Sequence, residues 1–114
     1  MMPIAERRLP PAPFARPVNW LGRSGRFYAL KPERLDDFYF RNNELYVIAR
    51  GNVVLWAGSS ADVIGDFQSR ARFRLALDCA DRVFRVEAGE DDVERMTVVW
   101  DLEGAVPVTG LSLA

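Results

Sequence analysis

The central part of the chain, residues 45–60, carries the pattern of a β-hairpin followed by the start of a helix. In residues 45–49, Leu, Val and Ala alternate with Tyr and Ile, and residues 53–56 are β-branched and aromatic. Between them, Arg50-Gly51-Asn52 predicts a turn, because Gly and Asn tolerate a positive φ. The small residues at 58–60 end the second strand and can cap the next helix.

Helical and strand-like periods alternate after this hairpin. A helix is predicted over about residues 61–80, with one apolar face made of Ile64, Phe67, Ala71 and Leu75. Residues 82–86 alternate between polar and apolar side chains and predict a half-buried strand. Acidic residues 90–92 then open a second helix, whose apolar row is Val93, Met96 and either Val99 or Trp100. Gly104 is its predicted C-cap, and Pro107 lies just beyond.

The first third of the chain is less regular. Residues 19–30 predict a second hairpin that turns at Arg23-Ser24-Gly25. Residues 32–40 leave two alternatives open: a short helix from Pro32 through Phe38, or a strand over residues 38–40 that turns at residues 42–43. The five prolines among residues 1–17 predict an extended or flexible arm.

These elements predict an α+β fold, in which a small mixed or antiparallel sheet of three to five strands is flanked by two or three helices. The domain organisation that follows is a Pro-rich arm at residues 1–17, a single domain at residues 18–107 and a C-terminal tail at residues 108–114.

Composition excludes several kinds of chemistry. The chain has no His, which removes His-based nucleophilic sites and His-ligated metals, and its single Cys excludes an intramolecular disulfide. We interpret that residue, Cys79, as a small core or boundary residue, and we predict no metal and no cofactor. No apolar run reaches the length that spans a bilayer, so we expect a cytoplasmic protein with no membrane partner.

Residues 44–107 resemble the GIY-YIG nuclease family, whose signature lies on a hairpin followed by a helix, a strand and a helix. The family carries Gly-Ile-Tyr on its first strand and Tyr-Ile-Gly on its second, where this chain has Glu44-Leu45-Tyr46 and Trp56-Ala57-Gly58. Tyr46 and Gly58 match, and Trp56 is an aromatic replacement. The segment Ser59-Ser60-Ala61-Asp62-Val63 also fits the family, and Pro107 stands where its second helix often ends.

The chain departs from the family at the positions that carry its chemistry. Asp66 occupies the position of the Arg that helps to neutralise the scissile phosphate, and Thr97-Val98 occupies the region of the metal-binding Glu. The resemblance therefore implies a catalytically degenerate member. The alternative is a divalent-metal-dependent nuclease with relocated residues, in which Tyr46, Arg70 and Glu94 act together with Mg²⁺ or Mn²⁺.

The predicted function is a non-catalytic binding module that contacts nucleic acid or a protein. The candidate contact residues are Tyr46, Trp56, Arg70 and Arg74, with Trp20 and Trp100 as further members of a base-stacking platform. The competing interpretation is that the aromatic rings are core residues and that the arginines lie on a solvated helix face. A third hypothesis is a small regulatory or inhibitor protein of another α+β fold, whose hairpin pairs with a partner or with a second copy in a homodimer.

Overall fold

Six strands and three helices follow one another along the chain. The computed structural model describes residues 16–36, 38–41, 44–87 and 91–108, so most of the predicted arm and tail lie outside the described residues. The strands are β1 Val18–Leu21, β2 Phe27–Glu33, β3 Glu44–Arg50, β4 Val53–Gly58, β5 Arg82–Glu87 and β6 Val106–Pro107. The helices are α1 Ser60–Gly65, α2 Phe67–Cys79 and α3 Asp92–Glu103. None of the helices in the described ranges is long and apolar enough to cross a bilayer.

All six strands form one antiparallel sheet in the order β4-β3-β5-β2-β1-β6. The α+β class and the three helices agree with the prediction, but the predicted number of strands, three to five, is too low. The additional strand is β6, in which Val106 and Pro107 pair with Leu21 and Trp20 of β1. Pro107 marks the end of a helix in the sequence pattern, and a two-residue edge strand gives no periodic signal.

Both predicted hairpin turns are present. Gly51 has a φ of 59° in the β3–β4 turn and Gly25 has a φ of 91° in the β1–β2 turn, so each lies in the conformation that favours Gly. The register between β3 and β4 shifts after the Ile48–Trp56 pair, because Ala49 lies opposite Val54. Leu55 is therefore an extra residue that forms a β-bulge.

Strand β3 contributes to both faces of the sheet. Leu45, Val47 and Ala49 belong to an apolar cluster with Val98 and Leu102 of α3. Tyr46 and Ile48, which alternate with them, belong to a second cluster with Phe73 and Ala76 of α2. Helices α3 and α2 therefore cover opposite faces of the sheet, and β3 lies between them.

The segment between β2 and β3 resolves the two alternatives left open for residues 32–40. Neither the short helix nor the strand is present: β2 continues through Pro32 to Glu33, and residues 38–40 are irregular. Phe38 and Phe40 pack edge-to-face on Tyr46, with ring centroids 5.2 Å apart in both pairs. Pro32 is tolerated because it pairs only with Phe84 of β5, beyond the end of β1.

The helix predicted over residues 61–80 is broken at Asp66. Asp66 is extended, with φ −131° and ψ 114°, and its carboxylate accepts a hydrogen bond from the Gln68 N–H at 3.1 Å. It therefore ends α1 and caps α2. The break changes which residues of α2 face the sheet.

The predicted apolar rows of both long helices face outward. On α1 and α2, Ile64 and Phe67 are 76% and 73% exposed, while Ser69, Phe73 and Ala76 are buried. On α3, Val93, Met96 and Trp100 are exposed, while Val98, Asp101 and Leu102 are buried. Cys79 was also predicted wrongly, because its side chain is exposed at the end of α2.

Candidate interaction surface

Tyr46 is a core residue. Its side chain is completely buried, and its hydroxyl accepts a hydrogen bond from the Arg41 backbone N–H at 2.8 Å. Burial raises the pKa of this hydroxyl above its usual value. A phenol with a raised pKa is less readily deprotonated at neutral pH, so the site is poorly suited to a catalytic base.

Trp56 is buried on the same face of the sheet. Its Nε1–H donates a hydrogen bond to the Ser69 Oγ at 3.2 Å, and its ring lies 4.9 Å from that of Phe73. Trp20 is buried in the other apolar cluster, beneath α3. Only Trp100 of the three tryptophans is substantially exposed, so the structure does not bring them together as a platform.

The two predicted contact arginines lie on α2. The Arg70 guanidinium is placed over the Phe67 ring, 5.7 Å from its centroid, and the residue is half-buried. Arg74 is exposed. Their helix covers the face of the sheet that holds Tyr46 and Trp56, but both aromatic rings are beneath the helix rather than beside the arginines.

Glu94 lies in the first turn of α3, on the opposite side of the sheet from Arg70. The two family positions that depart from the nuclease signature have structural roles here. Asp66 caps α2, and the Thr97 hydroxyl donates a hydrogen bond to the Val93 carbonyl at 2.9 Å, while Val98 is buried. Among residues 16–36, 38–41, 44–87 and 91–108, no three His, Cys, Asp or Glu side chains form a group that could hold a metal.

The outer edge of β4 is the most distinctive exposed feature. β4 ends the sheet, and its sequence, Val-Val-Leu-Trp-Ala-Gly, contains no charged residue. Val53 is 60% exposed and Leu55 is 36% exposed. The opposite edge differs, because β6 has only two residues and one is Pro107. Proline and short length protect a strand edge against pairing, and β4 has neither, so the first half of its edge is open to pairing. Its second half, residues 56–58, is buried.

A groove of about 220 Å³ runs beside the second half of β4. Trp56 and Ala57 line it from the strand, and helices from both faces of the sheet form its walls. The walls carry Asp62, Asp66 and Arg72 on one side and Met96, Val99 and Trp100 on the other. One wall is therefore charged, and the other is apolar apart from Arg95 and Glu103.

The apolar wall continues onto the outer face of α3. Met96 is 67% exposed and Trp100 is 52% exposed, and with Val93 and Thr97 they line a shallow depression of about 400 Å³. These residues follow helical spacing, so they form one row along the helix. We refer to Val93, Met96 and Trp100 as the α3 row. The sequence pattern identified the row but did not show that it is exposed.

A buried carboxylate fixes α3 against the β1–β2 turn. Asp101 accepts hydrogen bonds at 2.7 Å from the Ser24 N–H, the Ser24 hydroxyl and the Tyr28 hydroxyl. Burial alone would raise the Asp101 pKa, but these donors outweigh it and hold the pKa below its usual value. Burial and the hydrogen bond to Asp101 raise the pKa of the Tyr28 hydroxyl to about 12.

The same turn also reaches the exposed end of the α3 row. The Arg23 Nε–H donates to the Trp100 carbonyl at 2.9 Å, and its guanidinium lies 5.2 Å from the centroid of the Trp100 ring. These contacts, together with Asp101, fix the position of α3 beside β4. The sequence did not predict the role of Asp101, because the distant groups that bind an acidic side chain on a helix cannot be identified from its position in the sequence.

Comparisons with other proteins leave the family assignment as a prediction. We compared the chain with protein-family models, with curated proteins and with solved structures, and none of the three comparisons gave a match.

Proposed function

We propose that this chain is a non-catalytic protein-interaction module with a degenerate GIY-YIG-like fold, which binds a polypeptide along the outer edge of β4. The observation that carries the proposal is the first half of this edge: residues 53–55 are uncharged and lie at the end of the sheet, with Val53 and Leu55 exposed, whereas residues 56–58 are buried. The outward amide and carbonyl groups of such an edge can pair with an added strand. The neighbouring α3 row supplies apolar contact area.

A protein partner is favoured over nucleic acid by the positions of the predicted contacts. Tyr46 and Trp56 are buried, so neither ring can stack on a base without opening the core. Arg70 and Arg74 remain, in a chain whose net charge is −1. Nucleic-acid binding depends on a concentration of positive charge, whereas exposed Trp and Met side chains are enriched where proteins bind one another.

The separation of Arg70 and Glu94 supports a module without catalysis. The nuclease alternative needs both side chains at one phosphate, together with a metal ion. Helices α2 and α3, which carry them, cover opposite faces of the sheet. Tyr46, the third residue of that alternative, has its hydroxyl occupied by the Arg41 backbone.

A peptide-display experiment tests this function. The immobilised chain is offered a library of random twelve-residue peptides, and we expect it to enrich sequences with apolar residues at alternate positions. Val53→Lys should weaken the binding of the selected peptides by roughly tenfold or more, because a Lys on an edge strand opposes strand addition. Phe27→Lys is the matched control, since Phe27 is also 60% exposed but lies on β2.

Two results would contradict the proposal. In the first, the selection enriches no peptide, or it enriches peptides that bind the Val53→Lys variant as tightly as they bind the unchanged chain. The other is binding of labelled single- or double-stranded DNA that weakens with salt and with Arg70→Ala or Arg74→Ala, or DNA cleavage in Mg²⁺. We expect neither salt-dependent binding nor a cut product in fluorescence anisotropy and gel assays.

A further inference from the structure

We infer that the polypeptide that pairs with β4 is a second copy of this chain, joined antiparallel through the two β4 strands about a two-fold axis. The two sheets would then form one continuous sheet of twelve strands. This inference rests on the proposed function, because it names the partner of the same edge.

The composition of β4 suits pairing with itself. Near a two-fold axis each side chain meets its own copy, so any charged residue would meet a like charge. β4 carries no charged residue between Val53 and Gly58. The bulge at Leu55 increases the local twist, but the residues on both sides of it remain extended. Residues 56–58 are buried, so the exposed first half of the strand is the part that offers outward hydrogen-bonding groups without electrostatic repulsion.

The two ends of β4 carry opposite charge. Near the turn that precedes the strand there are two basic residues, Arg50 and Arg82, and one acidic residue, Asp81. Arg82 and Asp81 are held there by Gly51, whose carbonyl accepts a hydrogen bond from Arg82 and whose N–H donates one to Asp81. The groove at the other end holds three acids, among them Glu103, against two arginines. Antiparallel pairing places the basic end of one copy beside the acidic end of the other, and does so twice.

The exposed apolar area supplies more than half of such an interface when the α3 row is included. A standard protein interface buries about 800 Å² on each partner. Val53, Leu55 and the α3 row together expose apolar surface on the order of 500 Å², judged from their fractional exposures. The backbone edge and the polar groove walls supply the remainder. Two copies that meet at β4 would also bring both α3 rows to the same boundary.

Equilibrium sedimentation of the full chain tests the inference. We expect a particle of twice the 12.9 kDa chain mass, with Val53→Lys raising the dimer dissociation constant at least roughly tenfold. Phe27→Lys should leave the constant unchanged, because β2 lies three strands from β4. Circular dichroism of each variant establishes that it is folded. Leu55→Lys provides a second edge variant if Val53→Lys does not fold.

A charge-reversal pair tests the antiparallel arrangement. Arg50→Glu and Glu103→Arg should each weaken the dimer, and the two together should restore it, because the ends that meet then carry opposite charge again. Lys31→Glu is the control, since Lys31 is exposed on β2. Lack of restoration in the double variant, or a dimer unaffected by both edge variants, would overturn the inference.

The outcomes separate this inference from the proposed function. A chain that is monomeric at every concentration, yet binds selected peptides through β4, would overturn the homodimer and leave the interaction module in place. A monomer that binds no peptide would overturn both.

Discussion

Asp101 helps to fix how α3 sits on the sheet. Its carboxylate is almost fully buried and its described hydrogen-bond partners are neutral groups, Ser24 and Tyr28. A buried carboxylate is stable only when its oxygens are occupied by donors, and three donors at 2.7 Å provide this. The side chain therefore links the β1–β2 turn to the helix that borders the groove.

Asp101→Asn should lower the free energy of unfolding at neutral pH by about 1–3 kcal/mol, because hydrogen bonds to a charged acceptor are lost. The Asp101 pKa is depressed in the folded state, so its stabilisation is present above the unfolded-state value and disappears as the pH falls through the folded-state value. The difference between the two proteins should therefore shrink below about pH 4. Urea denaturation across the acid range measures it.

Asp78→Asn is the matched control, because Asp78 is exposed on α2. Its stability should follow that of the unchanged chain at every pH. A gap between Asp101→Asn and the unchanged chain that stays constant into the acid range would show that the carboxylate charge is not the source of the stabilisation.

At the scale of elements, the choice of which face of α2 packs on the sheet can be tested directly. Phe73 is buried against Trp56, whereas Leu75 is exposed. Phe73→Ala should cost about 3–5 kcal/mol in the free energy of unfolding, since it leaves a cavity in the core. Leu75→Ala should change it by no more than about 0.5 kcal/mol. The reverse ranking would mean that the row predicted from the sequence is the buried one.

The break between α1 and α2 makes a second prediction, with a definite sign. Asp66 caps α2, so Asp66→Ala should destabilise the protein by about 1 kcal/mol. In an unbroken helix, the same substitution would stabilise it, because Ala has the higher helix propensity. Thermal or urea unfolding of Asp66→Ala beside Asp78→Ala therefore distinguishes the two arrangements.

The sequence predicted element types well and helix orientation poorly, for a physical reason. Turns at Gly25 and Gly51 depend on local backbone conformation, which Gly reveals directly. The exposed and buried faces of α2 and α3 are both rich in apolar residues, so periodicity alone does not determine which face meets the sheet. That choice depends on distant partners, such as Ser69 for the Trp56 indole and Ser24 for Asp101. The candidate edge at β4 was predicted as a strand, but its position at the end of the sheet follows only from the pairing of β3 with β5.

At the scale of the whole molecule, β3 joins two apolar clusters that would otherwise be separate. Because its alternate residues belong to the two clusters, displacement of β3 would disrupt the packing on both faces of the sheet at once. We therefore expect a single cooperative unfolding transition.

Single-tryptophan variants test this cooperativity. Trp20 reports on the α3 side and Trp56 on the α2 side, so each is kept in turn while the other two tryptophans are replaced by Phe. In each variant the midpoint of the fluorescence change in urea should coincide with the midpoint by far-UV circular dichroism. Fluorescence that changes before the circular dichroism signal in either variant would show that the two faces unfold separately.

The pairing of β6 with β1 also allows the proposed assembly to be checked by a distance measurement between two copies. The Val108 N–H donates to the Asn19 carbonyl at 3.0 Å, so the start of β1 and the end of β6 lie side by side. That point lies four strands from β4, or about 19 Å at the usual strand spacing. In the twelve-stranded arrangement, fluorophores placed at residue 19 of the two copies would be about 40 Å apart, within the working range of resonance energy transfer.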